Sequence, residues 1–237
     1  LHLSIRRQRQ MCIRDREWLR LIKAHEEEKA WRQLTADNPF PAIHGRVCYH
    51  PCEVACNRAD LDGAVSIHSV ERYLGDLAIE KGWTFTRPTE PSGHRVLVIG
   101  AGPAGLSAAY HLAMLGHDVE IHDAGDKVGG MMRYGIPEYR LPREILDAEV
   151  ARLTDLGIKI VLNHPVNDLM EEKAKGRFDA VFVAIGAHLS KRVDIPTVDA
   201  SRMVDAVSFL HNVASGEKPL IGPVSYTHLT LPTNREV

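Results

Sequence analysis

No apolar run in this sequence of 237 residues approaches the ~20 residues that a helix needs to cross a bilayer. A secretory signal, with a basic n-region before an apolar h-region, is missing too, so we expect a cytoplasmic protein with no membrane partner. Neither sign of charge is in excess, and the formal net charge of −2 gives no reason to expect nucleic acid as a partner. Internal repeats and low-complexity tracts are absent. Hydrophobic residues make up 44% of the chain, enough for a core in one large domain or two small ones.

The two ends differ in character from the rest of the sequence. Residues 1–15 are basic and fit neither a helical nor a strand period, and residues 224–237 break from the segment before them. Both resemble translated sequencing-adapter read-through, and we expect them to be artefacts that take no part in the fold; a genuine arm and tail are the alternative. Cys12 lies in the first of these segments, so we do not count it as a metal ligand.

Residues 95–123 carry the most informative pattern in the chain. A short apolar run, Val96–Ile99, predicts a buried parallel strand, and a helix and a second strand, Asp118–His122, follow it. The glycines between the first strand and the helix have the G-x-G-x-x-G spacing, which lets a pyrophosphate approach the backbone and lets the helix pack closely on the strand. The helix directs free N–H groups and the positive end of its dipole at the phosphates. The predicted cofactor-binding residues of this turn are Gly100, Gly102, Pro103, Ala104 and Gly105.

The residues after the second strand distinguish between nucleotides. Asp123 ends that strand, about 20 residues after the glycines, where we expect it to accept a hydrogen bond from a ribose hydroxyl. The D-x5-GG extension that ends in Gly129–Gly130 resembles the FAD fingerprint of flavoproteins with two dinucleotide domains; a glycine loop without a ligand is the alternative. Later, Ala180–Ile185 predicts another buried strand, which Gly186 ends. The resemblance to these flavoproteins implies that this strand packs near the FAD. Ile185 stands where these flavoproteins usually have threonine, so a hydroxyl contact is not expected there.

Three cysteines form a C-x3-C-x3-C cluster in the first third of the chain. Cys48, Cys52 and Cys56 cannot all pair with one another, and a cytosolic chain rarely keeps disulfides. Clustered thiolates suit an iron–sulfur cluster or zinc, whereas three buried or incidental cysteines are the structural alternative. The second interval is one residue too long for the radical-SAM spacing C-x3-C-x2-C. A tetrahedral zinc site needs a fourth ligand, and the candidates are His44, His50 and His68.

Taken together, these blocks resemble one family. The span Asn38–Trp83 is similar to the iron–sulfur domain of the glutamate synthase small (beta) subunit family, and dihydropyrimidine dehydrogenase carries a similar N-terminal part. The loop Gly135–Pro142, GIPEYRLP, is also similar to one that these proteins carry after the paired glycine, and we include Arg140 from it among the cofactor-binding residues. The resemblance covers about Glu17–Pro219, and its blocks occur in the order of the family.

The resemblance implies an α/β protein of two parts. Residues 16–90 are expected to form a helical iron–sulfur domain like domain II of dihydropyrimidine dehydrogenase. The residue pattern predicts a helix over Glu17–Leu34, with Trp18 and Trp31 among its core residues. It also predicts a loop-rich metal segment over Asn38–Ala59 and a helix over most of Val65–Lys81, which carries Glu71. Residues 94–223 are expected to form a partial Rossmann-like domain that binds FAD or NAD(P), with a parallel sheet.

The resemblance also implies the cofactors. The family has two [4Fe-4S] clusters, and by motif match Cys48 and Cys52 serve one cluster and Cys56 the other. Glu71 stands where the family places a non-cysteine ligand. The upstream cysteines of the family are not found in this sequence, so we expect any reconstituted cluster to be substoichiometric or labile.

The implied function is electron transfer from NADPH to FAD and on through the clusters to an electron-acceptor subunit or domain, such as a glutamate synthase large subunit. Because the cofactors carry this chemistry, we assign no catalytic acid or base. A second glycine fingerprint is not found in the sequence, so we expect little NADPH oxidation by these residues alone. Two other functions stay open: a non-catalytic fragment that binds FAD and iron–sulfur clusters, and a zinc-stabilised helical interaction domain fused to a nucleotide-binding domain.

Overall fold

The computed structural model describes residues 15–87, 90–187 and 204–219. The described residues up to Ala187 belong to one compact unit, and those from 204 onward belong to a second. In the second unit, helix α10 (Ala206–Ala214) begins at Asp205, whose side chain accepts hydrogen bonds from backbone N–H groups of the first turn. None of the described helices is long and apolar enough to span a membrane.

The N-terminal part of the first unit is helical. Its long helix α5 begins after Ser66 and ends at Gly82, whose φ of +65° suits a glycine that stops a helix. The segment predicted to be rich in loops contains two short helices and a 3-10 turn (Asn57–Asp60). The helices of this part are α1 (residues 15–23), α2 (Glu27–Thr35), α3 (Pro41–Val47), α4 (Pro51–Val54) and α5 (Ile67–Lys81).

The single helix predicted over Glu17–Leu34 is wrong, because the structure divides this segment into α1 and α2. His25 has a left-handed backbone conformation, with a φ of +57°, and a right-handed α-helix cannot continue through it. The predicted core residues Trp18 and Trp31 are nonetheless buried, 2% and 0% exposed. Each of the two helices therefore contributes one buried tryptophan.

The C-terminal part is a four-stranded parallel sheet with helices, as the sequence predicted. The strand order is β3-β2-β1-β4, so β1 and β2 lie at the centre and the crossover helix α6 connects them. Helix α6 buries Leu106, Ala109 and Tyr110. The strands are β1 (Arg95–Ile99), β2 (Asp118–His122), β3 (Lys159–Val161) and β4 (Ala180–Val183), and the helices are α6 (Pro103–Met114), α7 (Met131–Tyr134), α8 (Arg143–Asp155) and α9 (Leu169–Gly176).

The buried strand predicted over Ala180–Ile185 is shorter and more exposed than expected. Strand β4 ends at Val183, and Phe182 and Val183 are 44% and 49% exposed. The physical reason is its place at the edge of the sheet, where only β1 pairs with it among the described strands. An apolar run therefore does not show that a strand is buried when that strand lies at the edge of the sheet.

The helical part and the sheet part share a core and are joined by buried hydrogen bonds. Phe40 and Ile43 pack in the same hydrophobic cluster as the residues of α6 and α8. The hydroxyl of Tyr110 donates to the carbonyl of Thr35 at 2.8 Å, and the Glu149 carboxylate accepts from the N–H groups at the start of α3. The predicted domain limits stay predictions, but the two parts are packed as one unit.

Candidate functional site

The glycine turn after β1 needs glycine at two positions. Gly100 has a φ of +108°, and a Cβ built there would overlap the carbonyl oxygen of Ala184, after β4. A Cβ on Gly105 would overlap the carbonyl oxygen of Gly100, because the first turn of α6 lies directly against the end of β1. These two glycines hold the strand, the turn and the helix in close contact, as the G-x-G-x-x-G spacing predicts.

Gly102 has a different environment. Its φ of −81° is open to any residue, and a Cβ built there would meet nothing within 4 Å. It is the residue before α6, so the open space lies at the positive end of a helix of 12 residues. Pro103 and Ala104, the first residues of that helix, are exposed. The arrangement fits a pyrophosphate, which needs a bare backbone and helix N–H groups.

Asp123 lies beside the turn and binds it directly. One carboxylate oxygen, Oδ2, accepts from the N–H of Ala101 at 2.5 Å, and Oδ1 accepts from the N–H of Gly125 at 2.7 Å. The side chain thus fixes the end of β2 to the turn after β1, a role that the sequence pattern did not reveal. A carboxylate has about four acceptor positions, so the predicted bond from a ribose hydroxyl is compatible with these contacts and stays a prediction.

The paired glycine returns to the same turn. The N–H of Gly129 donates to the carbonyl of Ala101 at 2.9 Å, and a Cβ on Gly130 would lie 2.9 Å from the Cα of Gly102. Their φ values of +122° and +50° favour glycine. Gly186, with a φ of +69°, follows the segment whose Ala184 touches Gly100. The structure therefore brings the paired glycine to the turn beside Gly102, and the predicted role of these glycines in cofactor binding stays a prediction.

Arg140 lies against the cysteine segment. Its guanidinium carbon is 5.9 Å from the ring centroid of Tyr49, and both it and Cys48 line a cavity of about 320 Å³ between the helical part and the loop before α8. The Arg140 side chain is exposed on the rest of its surface. Its predicted role in FAD binding stays a prediction, and its observed neighbours belong to the predicted cluster site.

The three cysteines lie on consecutive short elements and are not joined by disulfides. Cys48 ends α3, Cys52 is in α4, and Cys56 precedes the 3-10 turn. Burial and the neighbouring Cys48 raise the pKa of the Cys52 thiol, whereas backbone N–H groups, that of Val65 first, lower the pKa of the Cys56 thiol. All three sulfur atoms belong to residues that are exposed or half-buried, so an ion or cluster has access to them.

Two histidines and one carboxylate accompany the cysteines. The rings of His50 and His68 stack with centroids 4.5 Å apart, and the His50 backbone N–H donates to Cys48 Sγ at 3.3 Å. Glu53 Oε1 lies 2.6 Å from His68 Nδ1 and orients that ring. Sequence reasoning missed Glu53, although its place directly after Cys52 was a visible signal. His44, the other candidate ligand, is exposed on α3.

Glu71 is on α5, as the sequence predicted. Asn38 Nδ2 donates to Glu71 Oε1 at 3.3 Å, and burial, with repulsion from Asp15, raises the pKa of this carboxyl to about 7. A half-buried carboxyl of this kind has the chemistry of a ligand to a cationic group. The polar groups that act on it are Asn38, Asp15 and His68, and its predicted bond to iron stays a prediction.

Two family models match the chain. The model for dihydropyrimidine dehydrogenase domain II, 4Fe-4S cluster, matches residues 9–83, which include part of the N-terminal segment expected to be foreign. The model for an NAD(P)-binding Rossmann-like domain matches residues 98–162, which contain the glycine turn, Asp123 and the paired glycine. The order of the two matches is that of the helical part and the sheet part.

Similar proteins are oxidoreductases. Glutamate synthase [NADH] of Schizosaccharomyces pombe is 37% identical over 198 residues, 82% of this chain and 9% of that protein. The glutamate synthase [NADPH] small chain of Bacillus subtilis is 36% identical over 196 residues, 82% of this chain and 40% of that protein. The NADP(+)-dependent formate dehydrogenase subunit beta of Moorella thermoacetica is 38% identical over 207 residues, 77% of this chain and 29% of that protein.

This chain spans less than half the length of each of these relatives. Within that span, the predicted resemblance is confirmed by both kinds of comparison. The chain is homologous to glutamate synthase small chains and related oxidoreductases, with a 4Fe-4S-type domain followed by a Rossmann-like nucleotide-binding domain.

Proposed function

We propose that the chain is the electron-transfer part of an NAD(P)H-dependent flavoprotein, which binds FAD at the glycine turn and [4Fe-4S] clusters at the cysteine segment. The observation that supports this most is the open space in front of α6, which Gly102 leaves free and which Gly130 borders. FAD held there would supply the chemistry of hydride acceptance from NADPH and of single-electron release to the clusters. A partner subunit or domain, of the kind that the small chain of a glutamate synthase serves, would receive them.

The chain's own residues would bind the cofactors and orient them. Gly100 and Gly105 hold the turn in shape, and Gly102 admits the pyrophosphate to the N–H groups at the start of α6. Asp123 keeps the turn on the end of β2 through the Ala101 N–H. The thiolates of the cysteine segment are soft ligands that suit iron in sulfide clusters. Both sites belong to one compact unit, which contains the helical part and the sheet part.

Gly102→Val is expected to abolish FAD binding while leaving the fold intact. The valine side chain would fill the space in front of α6, and the φ of −81° and extended ψ of −177° are compatible with valine. Retained FAD fluorescence quenching and flavin stoichiometry in this variant would contradict the site. The matched control is Gly82→Asn at the end of α5, where a Cβ also meets nothing within 4 Å and asparagine tolerates the φ of +65°.

The 237 residues alone are expected to oxidise NADPH slowly even when FAD is supplied. Hydride transfer requires the nicotinamide to be held against the flavin within a few ångströms, and a misplacement of about 1 Å costs about 10²-fold in rate. The sequence contains one G-x-G-x-x-G turn, and we assign it to FAD. A dye-reduction assay would compare the purified chain with the small chain of Bacillus subtilis glutamate synthase, and we expect a rate lower by about 10²-fold or more.

Comparable rates in the two proteins would contradict this prediction. They would place a nicotinamide site within the residues between Arg95 and Pro219, and the glycine turn would then be assigned to NADPH. FAD titration in the presence and absence of NADPH separates the cases, because a shared site gives competition and two sites do not.

A further inference from the structure

Two histidines and a glutamate converge at the β3 side of the sheet, on elements that the cysteine segment does not include. His122 is the last residue of β2, His164 is in the loop after β3, and Glu172 is on α9. Glu172 Oε1 lies 3.3 Å from His122 Nδ1 and 3.0 Å from His164 Nε2. One potential ligand atom from each of the three residues lies within 4.8 Å of the other two.

His122 carries a buried nitrogen without a hydrogen bond. Its side chain is 6% exposed, and its Nε2 lies 2.9 Å from Glu120 Oε1, a carboxylate that Lys159 Nζ also contacts at 3.0 Å. A ring that donates from Nε2 has its lone pair on Nδ1. That Nδ1 is buried without a hydrogen-bond partner, and an acceptor, Glu172 Oε1, lies 3.3 Å from it. Either a second ring proton or a metal ion between the two atoms would satisfy both of them.

We propose that His122, His164 and Glu172 bind a divalent transition-metal ion of the zinc type. Two imidazole nitrogens and one carboxylate oxygen are a ligand set that zinc uses with three protein ligands and a water. Ligand atoms about 2.1 Å from a tetrahedral ion lie about 3.4 Å from one another, close to the 3.3 and 3.0 Å separations from Glu172. The His164 side chain is 34% exposed, which provides the entry path and the open fourth position.

The surroundings of the cluster support a metal. Metal-bound histidines almost always donate their second ring N–H to a carboxylate or carbonyl, and Glu120 occupies that place for His122. Arg95 Nη2 lies 3.6 Å from Glu120 Oε2, and Lys159 Nζ lies 3.0 Å from Glu120 Oε1, so two cationic side chains hold this carboxylate in position. Phe178 covers the buried side with its ring centroid 6.2 Å from that of His122.

The proposed ion is linked to the nucleotide turn through the backbone. The N–H of His164 donates to the carbonyl of Asp123 at 2.8 Å, and the N–H of Asn163 donates to the carbonyl of Gly125 at 2.9 Å. Asp123 in turn holds the N–H of Ala101. A metal at this cluster therefore clamps the loop after β3 and α9 onto the end of β2, directly behind the acid of the glycine fingerprint.

The test uses the whole 237-residue chain with its thiols alkylated, so that the cysteines bind no metal, and with resident metal removed by a chelator. Titration with Co²⁺ followed by displacement with Zn²⁺ is expected to show one ion per chain, with the visible bands of a nitrogen and oxygen site and no thiolate charge-transfer band. Bound Zn²⁺ at about 100 times its Kd is expected to raise the Tm by about 5–10 °C.

Metal binding by variants with substituted ligands tests where the ion lies. His164→Ala and Glu172→Gln alter half-buried or partly exposed side chains and are expected to lose the stoichiometric site, while Glu120→Gln should weaken binding by about 10–100-fold. His25→Ala, at a side chain that is 92% exposed, is the control and should bind as the wild type does. Circular dichroism of each metal-free variant checks that it folds.

Two outcomes would overturn the proposal. The first is that the alkylated wild-type chain binds no stoichiometric Co²⁺ or Zn²⁺. NMR would then be expected to show His122 protonated on both nitrogens, so that a proton and not a metal ion lies between it and Glu172. The other is unchanged binding in both His164→Ala and Glu172→Gln, which would place the ion elsewhere.

Discussion

Gly105→Ala is expected to destabilise the protein by at least about 3 kcal/mol, the upper end of the usual cost of overpacking. The added methyl would overlap the carbonyl oxygen of Gly100 and would lie 3.3 Å from Val98 Cγ1. A backbone oxygen cannot turn away as a flexible side chain can, so α6 must move off β1. A loss of about 3 kcal/mol is a large part of the total stability of a domain, which is about 5–15 kcal/mol. In a chain of this size it should lower the Tm by about 6–12 °C.

The matched control is Gly102→Ala, three residues earlier in the same turn. Its methyl meets nothing within 4 Å and its φ is unrestrictive, so we expect a change within about 1 kcal/mol. Thermal unfolding of both variants, followed by circular dichroism, gives the comparison. Equal Tm values would mean that α6 and β1 are further apart in solution than in this structure, and the close strand–helix contact would be wrong.

Glu149→Ala is expected to cost about 3–5 kcal/mol, the usual cost of removing one partner of a buried ion pair. The Glu149 side chain is 0% exposed, and its two oxygens each accept a backbone N–H at 3.2 Å, from Ala42 and from Ile43 at the start of α3. Arg152 Nη1 lies 3.4 Å from it and stays buried when the carboxylate is removed. The helical part would lose its polar link to α8.

Urea unfolding at pH 8 is the measurement. Burial raises the pKa of Glu149 to about 7, against the opposing effect of Arg152, so at pH 8 the carboxylate is ionised. Glu144→Ala, at an exposed position on the same helix, is the control and should change stability by about 0.5 kcal/mol or less. The double variant Glu149→Leu/Arg152→Leu should be more stable than Glu149→Ala, because it leaves no buried charge unpaired. A double variant as unstable as Glu149→Ala would show that the charges are not the cause.

The sequence by itself determined the elements that depend on interactions between residues close together in the chain. The strand Asp118–His122 was predicted to the residue, because Gly116 before it and Asp123 after it mark both of its ends. The glycine turn was equally readable, since a φ of +108° at Gly100 and the contact of Gly105 with Gly100 involve residues five apart. The helix after Ser66 and its stop at Gly82 follow from the same kind of short-range rule.

Only the tertiary structure decided the contacts between distant residues. Glu149 meets Ala42 across 107 positions, Arg140 lies beside Tyr49, and His122 meets Glu172 from another element. The exposure of β4 likewise depends on its place at the sheet edge. Periodicity and glycine spacing report the conformation of neighbours along the chain, whereas these contacts depend on how helices and strands pack. The nucleotide turn was therefore visible in the sequence, and the buried glutamate and the histidine cluster became visible only once the sheet was assembled.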